Sequence, residues 1–117
     1  MSLAKQVILD IMGSSAFQKI TIDHVLKIVS KEMRITERQL IGKGRTMEVA
    51  MARQTAMYLS REMTSSSLLN IGMHFGRRDH STVIHACKTI NKKMLTNPGL
   101  NQTIEKLKKE LGAPFSV

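Results

Sequence analysis

A glycine turn at residues 75–83 separates two stretches of helical periodicity and limits the folds that this chain can adopt. On each side of the turn, apolar residues recur at spacings of three and four, which is the pattern of an amphipathic helix. The turn Phe75-Gly76-Arg77-Arg78 holds a glycine followed by two arginines, and Asp79 is a good N-cap for the second helix. Two helices joined by so short a turn predict a helix-turn-helix.

The same helical spacing recurs along most of the chain, and no stretch alternates with the period of a β-strand. Thr36-Glu37-Arg38-Gln39 has the pattern of a capping box, and Gly42 is placed to end the short helix that it opens. Apolar faces predict further helices at residues 5–12, Thr21 to Met33, Met47 to Met63, Leu68 to Phe75, Asp79 to Met94, and after Asn97-Pro98. Arg53, Gln54 and Arg61 fall off the apolar face of the longest helix. The predicted fold class is therefore all-α.

The length of 117 residues suits one domain with its own core. We predict a compact helix-turn-helix domain over residues 20–112, preceded by a connecting helix or linker at 1–19 and followed by a flexible tail at 113–117. Cys87 is the single cysteine, which excludes an internal disulfide and gives no sign of secretion. No apolar run approaches the roughly eighteen residues of a membrane span, and there is no signal peptide pattern, so we expect a cytoplasmic, nucleoid-associated protein.

The charge of the chain is strongly positive and unevenly distributed. The net charge is +9, and residues 31–93 hold twelve lysines and arginines against five acidic residues. Such a surface attracts polyanions, nucleic acid first and acidic membrane second, although it can also be a merely solvated surface. The basic amphipathic segment from Lys5 to Lys31 is accordingly either a plain linker or a contact for acidic phospholipid.

The first turn of the helix after the glycine turn carries four short polar side chains, Asp79, His80, Ser81 and Thr82. A helix that enters the major groove touches base edges with its first turn, where long side chains would hold the backbone away. A carboxylate can accept from a base amino group, and imidazole and hydroxyl groups can donate or accept. An isolated turn of this kind is more often a simple polar N-cap, but the adjoining glycine turn and arginines favour DNA reading.

Basic residues flank this turn on two elements. Cations beside the groove would contact phosphates, with His85 and Thr82 as neutral donors. The cations expected to line the phosphates from the turn and the following helix are Arg77, Arg78, Lys88 and Lys92. The loop Lys43-Gly44-Arg45-Thr46 combines flexible backbone with a long cation, which suits a narrow minor groove. It lacks the spacing and the preceding strand of a phosphate-binding loop, so we reject nucleotide binding by this chain.

Catalytic and metal-binding hypotheses find little support. His80, His85 and Cys87 do not share the spacing of four that lets two ligands on one helix face the same ion. Cys87 lies near an apolar stripe and is interpreted as a small core residue, and the nine methionines as core filling. We therefore expect no metal site, no enzymatic activity and no small-molecule substrate.

The run Phe75-Gly76-Arg77-Arg78-Asp79-His80-Ser81-Thr82-Val83-Ile84-His85-Ala86-Cys87 resembles the signature Phe-Gly-Gly-Arg-Asp-His-Thr/Ser-Thr-Val-x-His-Ala of the bacterial replication initiator family DnaA. Residues 53–62 and 67–72 are also similar to that family, so the likeness covers roughly residues 20–95. The resemblance implies a Trp-repressor-like DNA-binding domain that follows a connecting helix. It further implies recognition of short asymmetric AT-containing boxes in double-stranded origin DNA.

The resemblance also implies roles for individual residues. Base contacts fall at Asp79, His80, Ser81 and Thr82 in the major groove, at Leu69 against a thymine methyl, and at Arg45 in the minor groove. Phosphate contacts fall at Lys43, Thr46, Arg53, Gln54, Arg78 and His85, with Arg77 and Lys88 as further candidates. No cofactor is expected for this chain, and ATP only for an ATPase module of a longer parent protein.

Three positions depart from the family pattern. Arg77 stands at the second glycine of the signature, where it adds a phosphate contact or strains the turn if a positive φ is required. Met51-Ala52 replaces an Arg-Pro pair, and Met47 stands where a basic residue often lies. All three lie outside the base-reading run, so we expect affinity to change more than specificity. A transcriptional regulator with the same motif is the alternative function, and whether the chain is part of a longer initiator or a separate protein stays open.

Overall fold

The computed structural model describes residues 20–112, and every regular element within that range is an α-helix. In chain order the helices are α1 Ile22–Met33, α2 Glu37–Ile41, α3 Met47–Met63, α4 Leu68–His74, α5 His80–Thr96 and α6 Pro98–Gly112. The all-α prediction is confirmed, and each helix lies where its apolar spacing predicts it. The predicted helix at 5–12, the linker at 1–19 and the tail at 113–117 lie outside the described residues.

Side-chain caps explain where the helices begin. In α1 to α5 the residue before the helix accepts a hydrogen bond from a first-turn backbone N–H, and these residues are Thr21, Thr36, Thr46, Ser67 and Asp79. The predicted capping box is present, because the Gln39 side chain accepts from the Thr36 N–H at 3.0 Å. Each cap is worth about 1 kcal/mol and fixes the residue at which its helix begins.

The core is aliphatic and lies around α3, which contacts all five other helices. The small residues Ala52 and Ala56 of α3 are completely buried, which allows its neighbours to approach closely. Other completely buried apolar side chains include Leu40, Leu59, Ile71, Phe75, Ile90, Ile104 and Leu107. Burying one such side chain contributes about 1.5–3 kcal/mol. The core thus holds α5 against α3 and leaves the start of α5 at the surface.

Burial on α3 extends beyond the face that the sequence predicts. Arg53, which falls off the apolar face, is only 8% exposed. Thr55 and Ser60 are completely buried, and their hydroxyls have no hydrogen-bond partner within residues 20–112. Helix α3 is therefore enclosed on most sides. On α5, Cys87 is buried as predicted, and this burial raises the pKa of its thiol. Among residues 20–112, none of the helices has the length and apolar character needed to cross a membrane.

Candidate nucleic-acid interface

The turn between α4 and α5 has a left-handed backbone at two successive residues, with φ +76° at Gly76 and +60° at Arg77. Glycine adopts this conformation without strain because it has no Cβ. At Arg77, where the family signature has glycine, the same conformation costs about 1–2 kcal/mol. The strained alternative expected for this departure is therefore present, and the Arg77 side chain is exposed at the surface.

Close backbone contacts hold this turn together. The Arg78 N–H donates to the Gly72 carbonyl over 2.8 Å. A Cβ on Gly72 would lie 2.1 Å from the Arg78 carbonyl oxygen, and a Cβ on Gly76 would lie 2.5 Å from the Ile41 carbonyl oxygen. Neither glycine can therefore be replaced by a residue with a Cβ unless the backbone shifts. The second one also brings the turn into contact with the end of α2.

Four of the six residues predicted to contact bases, Asp79, His80, Ser81 and Thr82, come together at the start of α5. Asp79 caps the helix, and its carboxylate accepts from the Ser81 hydroxyl at 3.0 Å and from the Ser81 N–H at 3.4 Å. His80 Nδ1 lies 3.6 Å from Asp79 Oδ1, and these side chains are 61% and 66% exposed. Ser81 and Thr82 are exposed as well. Asp79 can therefore cap α5 and still be reached by a ligand, because its carboxylate accepts hydrogen bonds from Ser81 while it stays exposed to solvent.

The second basic element, residues 42–46, connects α2 to α3 and is called the basic loop below. Lys43, Arg45 and Thr46 are exposed, and the Thr46 hydroxyl accepts from the Val49 N–H at 3.3 Å. Met47, which follows the loop, is 83% exposed. This edge of the basic surface therefore presents an apolar side chain at a position where the family often has a cation.

Two arginines predicted as phosphate contacts, Arg53 and Arg78, are engaged inside the protein. Each guanidinium donates to three backbone carbonyls. Burial lowers the pKa of both side chains, and the positive charge of Arg78 lowers the pKa of Arg53 further. Arg53 falls off the apolar face of α3, as its spacing predicts, but its side chain is nevertheless buried. Sequence reasoning missed this role because the acceptors lie up to 37 residues away along the chain. Contact of either arginine with phosphate stays a prediction.

A small cavity of about 150 Å³ lies between α3 and α5. Five of the residues predicted to contact DNA line it, namely Arg53, Gln54, Arg78, Thr82 and His85. The structure thus brings together side chains from α3, from α5 and from the turn before α5, which the sequence could group only by resemblance. Guanidinium, amide, hydroxyl and imidazole groups are the donors that contact DNA phosphates.

The remaining predicted contacts lie apart from this cavity on exposed surface. Leu69, at the start of α4, is 64% exposed, and Lys88 is exposed on α5. Over the described range, no group of three or more His, Cys, Asp or Glu side chains is arranged to hold a metal ion.

The short turn, the open tip of α5 and the basic residues beside it define a helix-turn-helix domain of the DNA-binding kind. A family model described as bacterial dnaA protein helix-turn-helix matches residues 22–90, and the chain belongs to this family. The chromosomal replication initiator protein DnaA of Chlorobaculum tepidum is 44% identical over 111 residues, which are 95% of this chain and 22% of the relative. The chain therefore spans about a fifth of the length of this curated relative.

Proposed function

We propose that this chain recognises short asymmetric AT-containing boxes in double-stranded origin DNA, as the DNA-reading domain of a bacterial replication initiator. The observation that carries the proposal is the exposed tip of α5, residues 79–82, beside the basic loop. A helix can enter a groove only with an end that the rest of the fold leaves uncovered. Family membership favours this function over a transcriptional regulator with the same motif.

In this proposal the tip of α5 enters the major groove. The Asp79 carboxylate accepts from a base amino group, and the His80 imidazole and the hydroxyls of Ser81 and Thr82 donate or accept at neighbouring base edges. The exposed Leu69 side chain contacts a thymine methyl. Each well-placed base contact contributes about 1–3 kcal/mol of discrimination.

The basic loop supplies the second contact, with Arg45 in the minor groove, whose negative potential is strongest at AT-rich sequence. The phosphate contacts proposed beside the two grooves are Lys43, Thr46, Arg53, Gln54, Arg77, Arg78, His85 and Lys88. Phosphate contacts position the domain and make binding depend on salt, whereas the tip and Arg45 carry the sequence preference.

The domain is proposed to act by binding alone, with no reaction catalysed and no cofactor or metal of its own, on the nucleoid in the cytoplasm. Contact with acidic phospholipid is proposed for the segment from Lys5 to Lys31, of which residues 5–19 lie outside the described range. Co-sedimentation of the chain with anionic and with neutral vesicles tests that contact. Equal sedimentation with both would dismiss it.

Selection of random-sequence duplexes by the 117-residue chain, followed by footprinting, tests the DNA proposal. We expect one short AT-containing box, bound roughly a thousandfold or more tightly than a shuffled duplex at the same salt concentration. Affinities must be compared at matched salt because phosphate contacts dominate non-specific binding. Equal affinity for the selected and the shuffled duplex would contradict the proposal.

A further inference from the structure

Two arginine side chains tie the basic loop to the rest of the domain. Arg53, on α3, donates from Nε to the Leu40 carbonyl at 2.8 Å, from Nη2 to the Gln39 carbonyl at 2.7 Å and from Nη1 to the Gly44 carbonyl at 2.9 Å. The first two acceptors are carbonyls at the end of α2, which have no partner within the helix. The third lies in the middle of the basic loop.

Arg78, in the helix-turn-helix turn, holds the neighbouring carbonyls. Its Nη2 donates to Gly42 at 2.7 Å, and its Nη1 donates to Ile41 at 3.4 Å and to Phe75 in its own turn. Together the two guanidinium groups bind every carbonyl from residue 39 to residue 42. The set of these bonds, from Arg53 and Arg78, is called the arginine clamp below.

The groups that form the clamp, cationic donors and backbone carbonyl acceptors, indicate that it fixes the position of the loop backbone. Neither arginine forms an ion pair with a described residue, so the acceptors are backbone dipoles rather than carboxylates. Taking a cation out of water is costly unless its N–H groups are hydrogen-bonded. A planar guanidinium can bridge several acceptors at fixed angles, which a lysine ammonium cannot do in the same way.

We infer that Arg53 and Arg78 are positioning residues for DNA recognition, which hold Arg45 of the basic loop at a fixed place relative to the tip of α5. This inference rests on the proposed function. Arg78 precedes Asp79 directly in the chain. The residue that hydrogen-bonds to the basic loop is therefore covalently joined to the first residue proposed to contact a base. Minor-groove and major-groove contacts are therefore coupled through the clamp, and neither arginine needs to touch DNA for its loss to weaken binding.

Lysine substitutions separate positioning from phosphate contact, because they keep the charge and remove the bridging geometry. Arg53→Lys and Arg78→Lys are made in the full chain, both alone and together with Arg45→Ala. Arg61→Lys is the matched control, since Arg61 is exposed on the same helix as Arg53 and lies outside the interface. The measurements are Kd on the selected box, the salt dependence of Kd, and thermal unfolding.

We expect each clamp variant to bind the box roughly tenfold more weakly, within the range of coupling energies found inside one hydrogen-bond network. In the Arg45→Ala background the same substitution should change Kd less than about twofold, because the contact that the clamp positions is already absent. The salt dependence should stay the same, since the charge is kept. Arg61→Lys should leave Kd unchanged in both backgrounds.

An equal loss in both backgrounds, or no loss in either, overturns the inference. If Arg53→Lys fails to fold, the half-buried Arg78 carries the test with the same criteria. A folded wild-type chain that prefers no sequence would refute the proposed function, and this inference would fall with it. Wild-type preference for a box together with an equal loss in both backgrounds refutes the clamp alone.

Discussion

The turns that precede the seventeen-residue helices α3 and α5 are alike in composition but are held in place by different means. Each is basic, contains glycine and ends in a side-chain cap, Thr46 in one and Asp79 in the other. The turn before α5 is held by its own backbone, through the Arg78 N–H to the Gly72 carbonyl and two left-handed residues. The basic loop before α3 is held by side chains from α3 and from the other turn.

The two halves of the candidate interface therefore differ in how far their shapes depend on distant residues. A turn fixed by local backbone bonds keeps its shape as long as its own few residues are intact. The basic loop keeps its shape only while distant parts of the fold remain in place. We therefore expect substitutions to act locally at the first turn and at a distance at the second.

The largest effect should come from filling space at the locally held turn. Gly72→Ala would place a Cβ 2.1 Å from the Arg78 carbonyl oxygen, and we expect the free energy of unfolding to fall by about 4 kcal/mol. Gly44→Ala is the matched control in the basic loop, because among the described residues its Cβ would meet only the Val49 side chain, at 3.7 Å. That variant should change stability by less than about 0.5 kcal/mol. Denaturant unfolding measures both, and equal destabilisation would remove the distinction between the turns.

The next effect tests the dependence of the basic loop on α3. Arg53→Met removes the donors to the Leu40 and Gly44 carbonyls, whereas the Gln39 carbonyl keeps the Gly42 N–H at 3.3 Å. We therefore expect a loss of about 3 kcal/mol in the free energy of unfolding. Arg61→Met, at an exposed position of the same helix, should stay within about 0.5 kcal/mol of wild type. If the two variants are equally stable, the clamp does not support the fold.

A third prediction compares the two elements as DNA readers. His80→Ala and Arg45→Ala should each weaken binding to the selected box by about 2 kcal/mol, with little change on random DNA. The losses should map to different positions, major-groove contacts for His80 and AT pairs in the minor groove for Arg45. Binding to systematically mutated boxes measures this. A loss of equal size on box and random DNA would count against base reading by that residue.

The smallest effect concerns the strained residue in the locally held turn. Arg77→Gly should raise the free energy of unfolding by about 0.5 kcal/mol, because relief of the left-handed strain slightly exceeds the added entropy of the unfolded chain. Arg34→Gly is a second test of the same physics, since Arg34 has φ +57° at the end of α1. If Arg77 contacts a phosphate, its glycine variant should also lower the salt slope by about 1, which Arg34→Gly should not do. A destabilised Arg77→Gly would contradict the strain argument.

Most of the fold could be predicted from the sequence because its determinants are local. Caps such as Thr36 and Asp79 lie within three residues of the groups that they satisfy, and apolar spacing marks the buried face of each helix. The open tip of α5 could be predicted for the same reason, since four short polar residues follow the glycine turn directly. The family resemblance implies DNA contacts for further residues, such as Arg45 and Leu69, which helical spacing alone does not link to the tip of α5.

The hydrogen bonds of Arg53 to the end of α2 could not be predicted from the sequence, because they depend on where the fold places the last carbonyls of α2 relative to α3. Helical spacing places Arg53 off the apolar face, and its charge suggests solvent or phosphate. In the fold, the last carbonyls of α2 point at that position, and they provide the hydrogen bonds that make burial of a cation possible. No pattern in the sequence indicates which of the eighteen basic side chains meets such a partner.

The buried thiol of Cys87 can report when α5, the second helix of the helix-turn-helix, moves out of its packed position. Cys87 is the sole cysteine of the chain, and burial raises the pKa of its thiol, so little reactive thiolate is present near neutral pH. A maleimide should therefore label the native chain slowly, and faster whenever α5 moves away from the helices that pack against it. Comparing the labelling rate with and without a DNA duplex would measure how far bound DNA suppresses the local opening of α5.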